Sequence, residues 1–146
     1  MWFDEQMITT DVVAAKDLAF DGVLALYTAV EWTAYTDDPQ SLRQALEGSS
    51  TLVAAHDDQL LVGLARVISD GSSICYLQDI LVLPSHRRAG VGRALAQRAL
   101  AEYPHVRQKV LITDDEPQQR AFYEALGYTR SDEFQAGPIR AFLRFD

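Results

Sequence analysis

Three strand-like segments follow one another with no helix between them, and this constrains the fold more than any other feature. "TLVAAHDDQLLVGLARVI", residues 51–68, reads as two strands joined by a tight turn at His56–Gln59, an antiparallel hairpin. "SSICYLQDILVL", residues 72–83, reads as a third and longer strand, stopped by Pro84. Gly90–Tyr103 then has Val91, Leu95, Ala99 and Tyr103 on one i, i+4 line, a helix, and "KVLIT", residues 109–113, is strand-like. A strand–helix–strand unit can place its two strands parallel. Around this centre lie a strand near Gln6–Thr10, a helix over Gly22–Glu31 and a helix in "TDDPQSLRQALEG", with Asp38 as cap and Pro39 in the first turn. "DEPQQRAFYEALG" is a helix with Gly127 at its end, and "PIRAFLRF" alternates as a final strand. The order β-α-α-β-β-β-α-β-α-β-β predicts an α/β fold on a mixed, mostly antiparallel sheet, flanked by about four helices.

At 146 residues the chain suits a single domain, 1–146, with one core. A net charge of −8 argues against general nucleic-acid binding, which needs a broad basic surface. The N-terminal Met-Trp-Phe-Asp-Glu lacks the basic and apolar regions of a signal peptide. No apolar stretch approaches the ~20 residues of a membrane-spanning helix. A lone cysteine, Cys75, in an apolar run reads as a buried inert thiol and suits a reducing cytoplasm.

The charge is uneven. Between His86 and Lys109 lie six of the thirteen basic residues and one acid, Glu102, a local balance of +5. A basic island in an acidic chain suits a small anionic ligand. Its start, "HRRAGVGRAL", combines arginines, glycines and a helix N-terminus, where unpaired N–H groups and the helix dipole favour phosphate. The stretch is therefore a candidate pyrophosphate cradle. It lacks the G-x-x-x-x-G-K-[ST] of a P-loop. It also lacks the third glycine of a dinucleotide fingerprint, having Leu95 there, although Asp114 stands about 20 residues on, where a ribose-binding acid would sit.

Arg87-Arg88-Ala89-Gly90-Val91-Gly92 resembles the [Q/R]-x-x-G-x-[G/A] signature of the GNAT superfamily of N-acetyltransferases. The preceding "DILVLP" looks like that family's fourth strand. "RAFYEALGY", Arg120 to Tyr128, is similar to its A-x-x-F/L-Y-E-x-x-G-F/Y segment. The resemblance covers Ser73 to Arg130 by motif and the rest by element order.

It implies acetyl-coenzyme A in a gap between two splayed parallel strands, the fourth and fifth. It implies that main-chain groups of Ile80, Leu81 and Val82 hold the pantetheine arm, with a backbone donor near Ile80 for the thioester oxygen. Residues Arg87, Arg88, Ala89, Gly90, Val91, Gly92, Arg93 and Ala94 would bind the pyrophosphate. Tyr123 matches the family's general acid, which protonates the leaving thiolate. Glu116 stands where many members carry a cofactor-contacting Asn, and a carboxylate can still accept a hydrogen bond there.

The base is open. Without a bulge, alternation puts Tyr76, Gln78, Ile80 and Val82 on one face of the fourth strand and Asp79 on the other. Asp79 is then a candidate base only if a bulge re-aims it, and otherwise pairs structurally with Arg66 on the neighbouring strand. Deprotonation through ordered water is the third reading. For the acceptor, Glu31, Trp32, Tyr35, Asp37 and Asp38 supply aromatic surface and negative charge, with Tyr76 and Gln78 beside them, suiting a small cationic amine. Trp32 and Tyr35 could equally be core or dimer-interface residues, and an exposed final strand could support a homodimer. His56, His86 and His105 lack metal-ligand spacing.

The expected function is direct transfer of an acetyl group from acetyl-CoA to a primary amine, on a small molecule or a protein, in a ternary complex. The alternatives are a catalytically silent acyl-CoA-binding module and a dinucleotide-binding protein. Neither nucleic acid nor membrane is an expected partner.

Overall fold

The hairpin segments are apolar almost without alternation because both faces of their sheet are covered. In the computed structural model, which describes residues 7–146, every residue from Leu52 to Ala55 and from Leu61 to Val67 is buried. The chain divides into two compact units, one running through Leu111 and one from Ile112 to Asp146.

The first unit is a five-stranded sheet in sequence order, β1 (Ile8–Val13), β2 (Thr51–Asp57), β3 (Leu60–Ser69), β4 (Ile74–Val82) and β5 (Gln108–Val110). The first four are antiparallel neighbours, and β5 runs parallel to β4. This mixed sheet is unlike the fully parallel sheet of a dinucleotide fold. Between β1 and β2 lie α1 (Phe20–Ala29), α2 (Thr33–Thr36) and α3 (Pro39–Glu47), and α4 (Val91–Leu100) joins β4 to β5.

The helices form where the sequence places caps and apolar stripes. Asp38 caps α3 by accepting from Ser41 N at 3.2 Å, Pro39 opens it, and Leu42 and Leu46 share its buried face. Val23, Leu26 and Tyr27 of α1 pack with those leucines against Leu52, Ala54, Leu64 and Leu81. The opposite sheet face receives α4 through Val91, Leu95, Ala96 and Ala99. Gly63 permits that approach, since a Cβ there would lie 2.8 Å from Leu95 Cδ1 and 3.2 Å from the Leu81 carbonyl oxygen. Gly63→Ala is expected to cost about 1–3 kcal/mol by overpacking, measured by urea unfolding; an unchanged midpoint would mean that α4 can step back freely.

Several boundaries differ from the sequence reading. The first strand lies further on than Gln6–Thr10, because Val12 and Val13 pair with Val53 and Leu52; Gln6 and the N-terminal Met-Trp-Phe-Asp-Glu lie outside the described residues. The first helix stops before Glu31, whose φ of +63° breaks the helix, and α2 makes a fifth, one-turn helix. β5 is only three residues long and leaves β4 after Val110.

The second unit contains α5 (Pro117–Ala125), closed by Gly127 at φ +93°, and a 3-10 turn at Ser131–Glu133. Arg120 on α5 pairs with Glu124 and, at 2.6 Å, with Glu133. The final strand expected in "PIRAFLRF" is not formed. Residues 138–146 carry no ladder, and Phe142 and Phe145 are 96% and 89% exposed. An alternating pattern makes a strand only where a partner strand takes its backbone groups. Here Ile139 N donates instead to Ser131 O at 2.7 Å. Among the described residues no helix is long and apolar enough to cross a membrane.

Candidate active site

β4 and β5 pair only at Ile74, Cys75 and Tyr76, against Gln108, Lys109 and Val110. Beyond Tyr76, β4 continues to Val82 beside β3 but has no strand partner on its β5 side among the described residues. Ile80, Leu81 and Val82 lie on this open edge. An open edge is where an extended ligand can add itself as a strand.

The chain then makes a single 3-10 turn, Pro84–His86. Histidine fastens this turn: His86 Nε2 lies 2.8 Å from Asp57 Oδ2 at the end of β2, and its Nδ1 lies 2.8 Å from Ser85 Oγ. Sequence reasoning missed this anchor, because Asp57 and His86 are brought together only by the sheet.

Arg88 at φ +67° and Gly90 at φ +79° give the loop two left-handed residues within three positions. Such backbone is ordinary for glycine and costs an arginine roughly 1 kcal/mol or more. Gly90 sits at the N-cap of α4 with no side-chain cap, so the first N–H groups of the helix are not satisfied by a side chain. The first backbone bond into the helix is Ala94 N to Gly90 O, 3.0 Å. Val91 points into the core, whereas Arg87, Arg88, Ala89, Gly90 and Arg93 are exposed and Gly92 and Ala94 half-buried. No ion pair within the described residues engages Arg87, Arg88 or Arg93. An uncapped helix start flanked by unpaired guanidinium groups suits an anionic phosphate.

On the other sheet face, the β3–β4 register slips at one point: Arg66 faces Asp79 while Val67 faces Leu77, so Gln78 is an extra residue. The slip lies on the Leu77 side of Asp79; from Asp79 to Val82 the register with β3 is unbroken, so Asp79 keeps the face of Leu81, toward α1, where it meets Arg66, Tyr27 and Tyr35. Asp79 Oδ2 accepts from Arg66 Nε at 2.8 Å and from Tyr27 Oη at 2.9 Å, and Oδ1 accepts from Tyr35 Oη at 2.9 Å. Arg66 also donates through Nη2 to Tyr35 Oη at 3.0 Å, and Gln78 Nε2 donates to the same oxygen at 3.4 Å. Arg66 and Asp79 are 6% and 4% exposed.

Burial works against the Arg66 charge, but the adjacent Asp79 carboxylate more than offsets it and holds the guanidinium above its usual range. Burial first, then the Asp79 charge, pushes the Tyr27 and Tyr35 phenols upward, and Tyr76 in the same sense. The rings of Tyr27, Trp32 and Tyr35 pack against one another with centroids 4.9–6.3 Å apart, Tyr27 edge-on to the other two. Tyr35, Gln78 and Asp79 are thus brought together, with Trp32 packed beside them and partly in the core. Glu31 and Asp37 are exposed, and Asp38 is occupied as the α3 cap. Tyr27 was legible in the sequence only as an apolar helix position. Cys75 is fully buried, and burial raises its thiol pKa.

In the second unit, Tyr123 on α5 packs edge-on against Phe122 at 5.0 Å and Tyr128 at 6.1 Å. Burial raises its phenol above the ordinary value, against a hydrogen bond from Thr113 that lowers it. Glu116 is exposed at the N-cap of α5, where its side chain makes no capping bond. No cluster of three or more metal-ligating side chains occurs among the described residues.

Residues 15–141 match the family model of the acetyltransferase (GNAT) domain. A GNAT-family protein of Streptococcus pneumoniae TIGR4 superposes with a TM-score of 0.79 at 31% identity, covering 95% of this chain and 100% of that one. An aminoglycoside N-acetyltransferase, AAC(6')-Iy, solved in complex with CoA, superposes with a TM-score of 0.69 over 95% of both chains. At 16% identity that likeness concerns the fold alone. The mycothiol acetyltransferase of Clavibacter sepedonicus is 36% identical over 120 residues, 79% of this chain and 38% of that protein. A Gibberella zeae protein assigned only provisionally to the acetyltransferases is 40% identical over 76 residues, 50% of this chain and 42% of its own. The chain therefore spans about two fifths of the length of these curated relatives. With the open β4 edge, the uncapped glycine loop and a family match over most of its length, the chain belongs to the GNAT acetyltransferases.

Proposed function

We propose that the protein is an acetyl-CoA-dependent N-acetyltransferase that moves the acetyl group directly to a primary amine, both substrates being bound together. The observation that carries this reading is the open edge of β4 leading into a left-handed, uncapped loop. Acetyl-CoA supplies an activated thioester. Main-chain groups of Ile80, Leu81 and Val82 would hold its pantetheine arm, and the N–H groups from Arg88 to Ala94 its pyrophosphate. Arg87, Arg88 and Arg93 add charge. Glu116 can accept a hydrogen bond from the cofactor. The two units act as one acetyltransferase domain, an assignment supported by the family match running across both.

In the reaction, a C–N bond forms as the C–S bond breaks; the amine loses one proton and the thiolate gains one. Tyr123, kept protonated by burial, is the proposed donor of the second proton. Asp79 is proposed as structural rather than basic, since its two oxygens already accept three hydrogen bonds. The first proton then leaves through water. Glu31, Trp32, Tyr35, Tyr76 and Gln78 are the proposed acceptor surface, for a small-molecule or protein amine. The lone buried Cys75 fits a reducing, cytoplasmic setting.

Titration calorimetry with acetyl-CoA tests the reading, and no binding at millimolar ligand would sink it. Gly90→Val, forced to adopt φ +79°, is expected to weaken binding at least tenfold. Arg88→Gly, which keeps its φ of +67° without strain, should weaken it less than tenfold. The reverse order would assign binding to the arginines rather than the backbone. Acetyl-CoA bound but never consumed across an amine panel would favour a silent acyl-CoA-binding module.

A further inference from the structure

The polar chain around Asp79 has one direction only. An ionised carboxylate accepts hydrogen bonds and cannot donate. Tyr35 must therefore direct its single hydroxyl proton to Asp79 Oδ1, 2.9 Å away. Its oxygen can then only accept, which it does from Arg66 Nη2 at 3.0 Å and from the Gln78 side chain at 3.4 Å. The two ends of an amide are nearly alike in shape, so chemistry orients this one: Gln78 must present its NH2 to Tyr35. Its carbonyl Oε1 is left turned away and accepts no hydrogen bond from the described residues. Gln78 is exposed, is the extra residue of the bulge, and lies on the stretch of β4 that has parted from β5.

We infer that Gln78 Oε1 is the acceptor that receives an N–H of the primary amine, and that Tyr35 is a positioning residue that fixes which end of Gln78 faces it. This rests on the acetyltransferase reading. It also gives a reason for an amide at this position. A carboxylate would favour the ammonium form of the substrate, whereas the nucleophile is the free amine. A neutral carbonyl oxygen orients the nitrogen without holding it protonated. Tyr35 on α2, the partner of Gln78, is joined in turn to Asp79 on β4 and Arg66 on β3, and Asp79 to Tyr27 on α1. Only the Arg66–Asp79 pair is charged, and the two charges oppose each other.

The test has two arms. In the first, n-butylamine is titrated into 15N-labelled protein with CoA present, and the Gln78 side-chain amide is followed by NMR. A saturable shift of that amide, weakened about tenfold in Tyr35→Phe, is expected. An amide unmoved up to tens of millimolar amine overturns the proposal, whether or not CoA binds. Failure of CoA binding by calorimetry would instead overturn the acetyltransferase reading.

In the second arm, acetyl transfer to tyramine, spermidine and kanamycin is followed by CoA release. Gln78→Met should raise the KM of the amine turned over about tenfold while kcat changes little. Tyr35→Phe should do the same, and the double variant should be no worse than either single one, since both act through one carbonyl. Gln78→Glu should move the pH profile of kcat/KM to higher pH, because the amine must then lose its proton against a carboxylate. Additive single effects, or an unmoved profile in Gln78→Glu, would overturn the proposal.

Discussion

Asp79→Ala is expected to lower the unfolding free energy by about 3–5 kcal/mol. The residue closes a buried network, so its removal does more than delete one ion pair. It leaves the Arg66 guanidinium buried beside a neutral methyl group and removes the acceptor of both Tyr27 Oη and Tyr35 Oη. Each lost partner strands a polar group that folding has already taken out of water. Asp79→Asn keeps an acceptor oxygen and should cost less, while still removing the charge opposite Arg66. Urea unfolding followed by circular dichroism measures both. A cost below about 1 kcal/mol for the alanine variant would show the network to be solvated rather than closed. The asparagine variant separates structure from chemistry. If it folds and turns over with an unchanged acidic limb in its pH profile, Asp79 is not a base.

Tyr123→Phe is expected to lower kcat by about a hundredfold or more, with acetyl-CoA affinity nearly unchanged. The ring contacts with Phe122 and Tyr128 are kept, so the change removes a proton donor and little packing. The pH dependence carries a sign. Burial raises the Tyr123 phenol above 10, the ordinary tyrosine value, so the protonated form persists through neutral and mildly alkaline pH. Activity due to this acid should therefore fall only above pH 10, and that limb should be missing in the phenylalanine variant. Stopped assays of kcat against pH would decide it, and unchanged turnover in Tyr123→Phe would move the acid role elsewhere.

The α3 cap at Asp38, the stripe of α4 and the glycine stop at Gly127 were all readable, because each depends on residues within a few positions of one another. The loop His86–Leu95 was readable for the same reason, and its glycine at position 90 adopts the backbone that favours glycine. The slip at Gln78 was not, because a bulge is a property of two strands in register. Alternation along β4 placed Asp79 opposite Ile80 and Val82, where it pairs with Arg66, but gave no sign of the extra residue beside it. The final segment failed in the opposite way. Its alternation is as clear as that of any strand, yet residues 138–146 form no ladder.

The sequence by itself determined the central run of strands, the helix that follows it and the basic glycine loop between them. Local spacing, caps and backbone freedom are sufficient causes for those. Only the tertiary structure decided that Tyr27 and Tyr35 close the Arg66–Asp79 pair, which amide end is presented, and that His86 and Asp57 anchor the loop. These depend on strand register and sheet packing, which join residues 13 to 52 positions apart through contacts that no local pattern encodes.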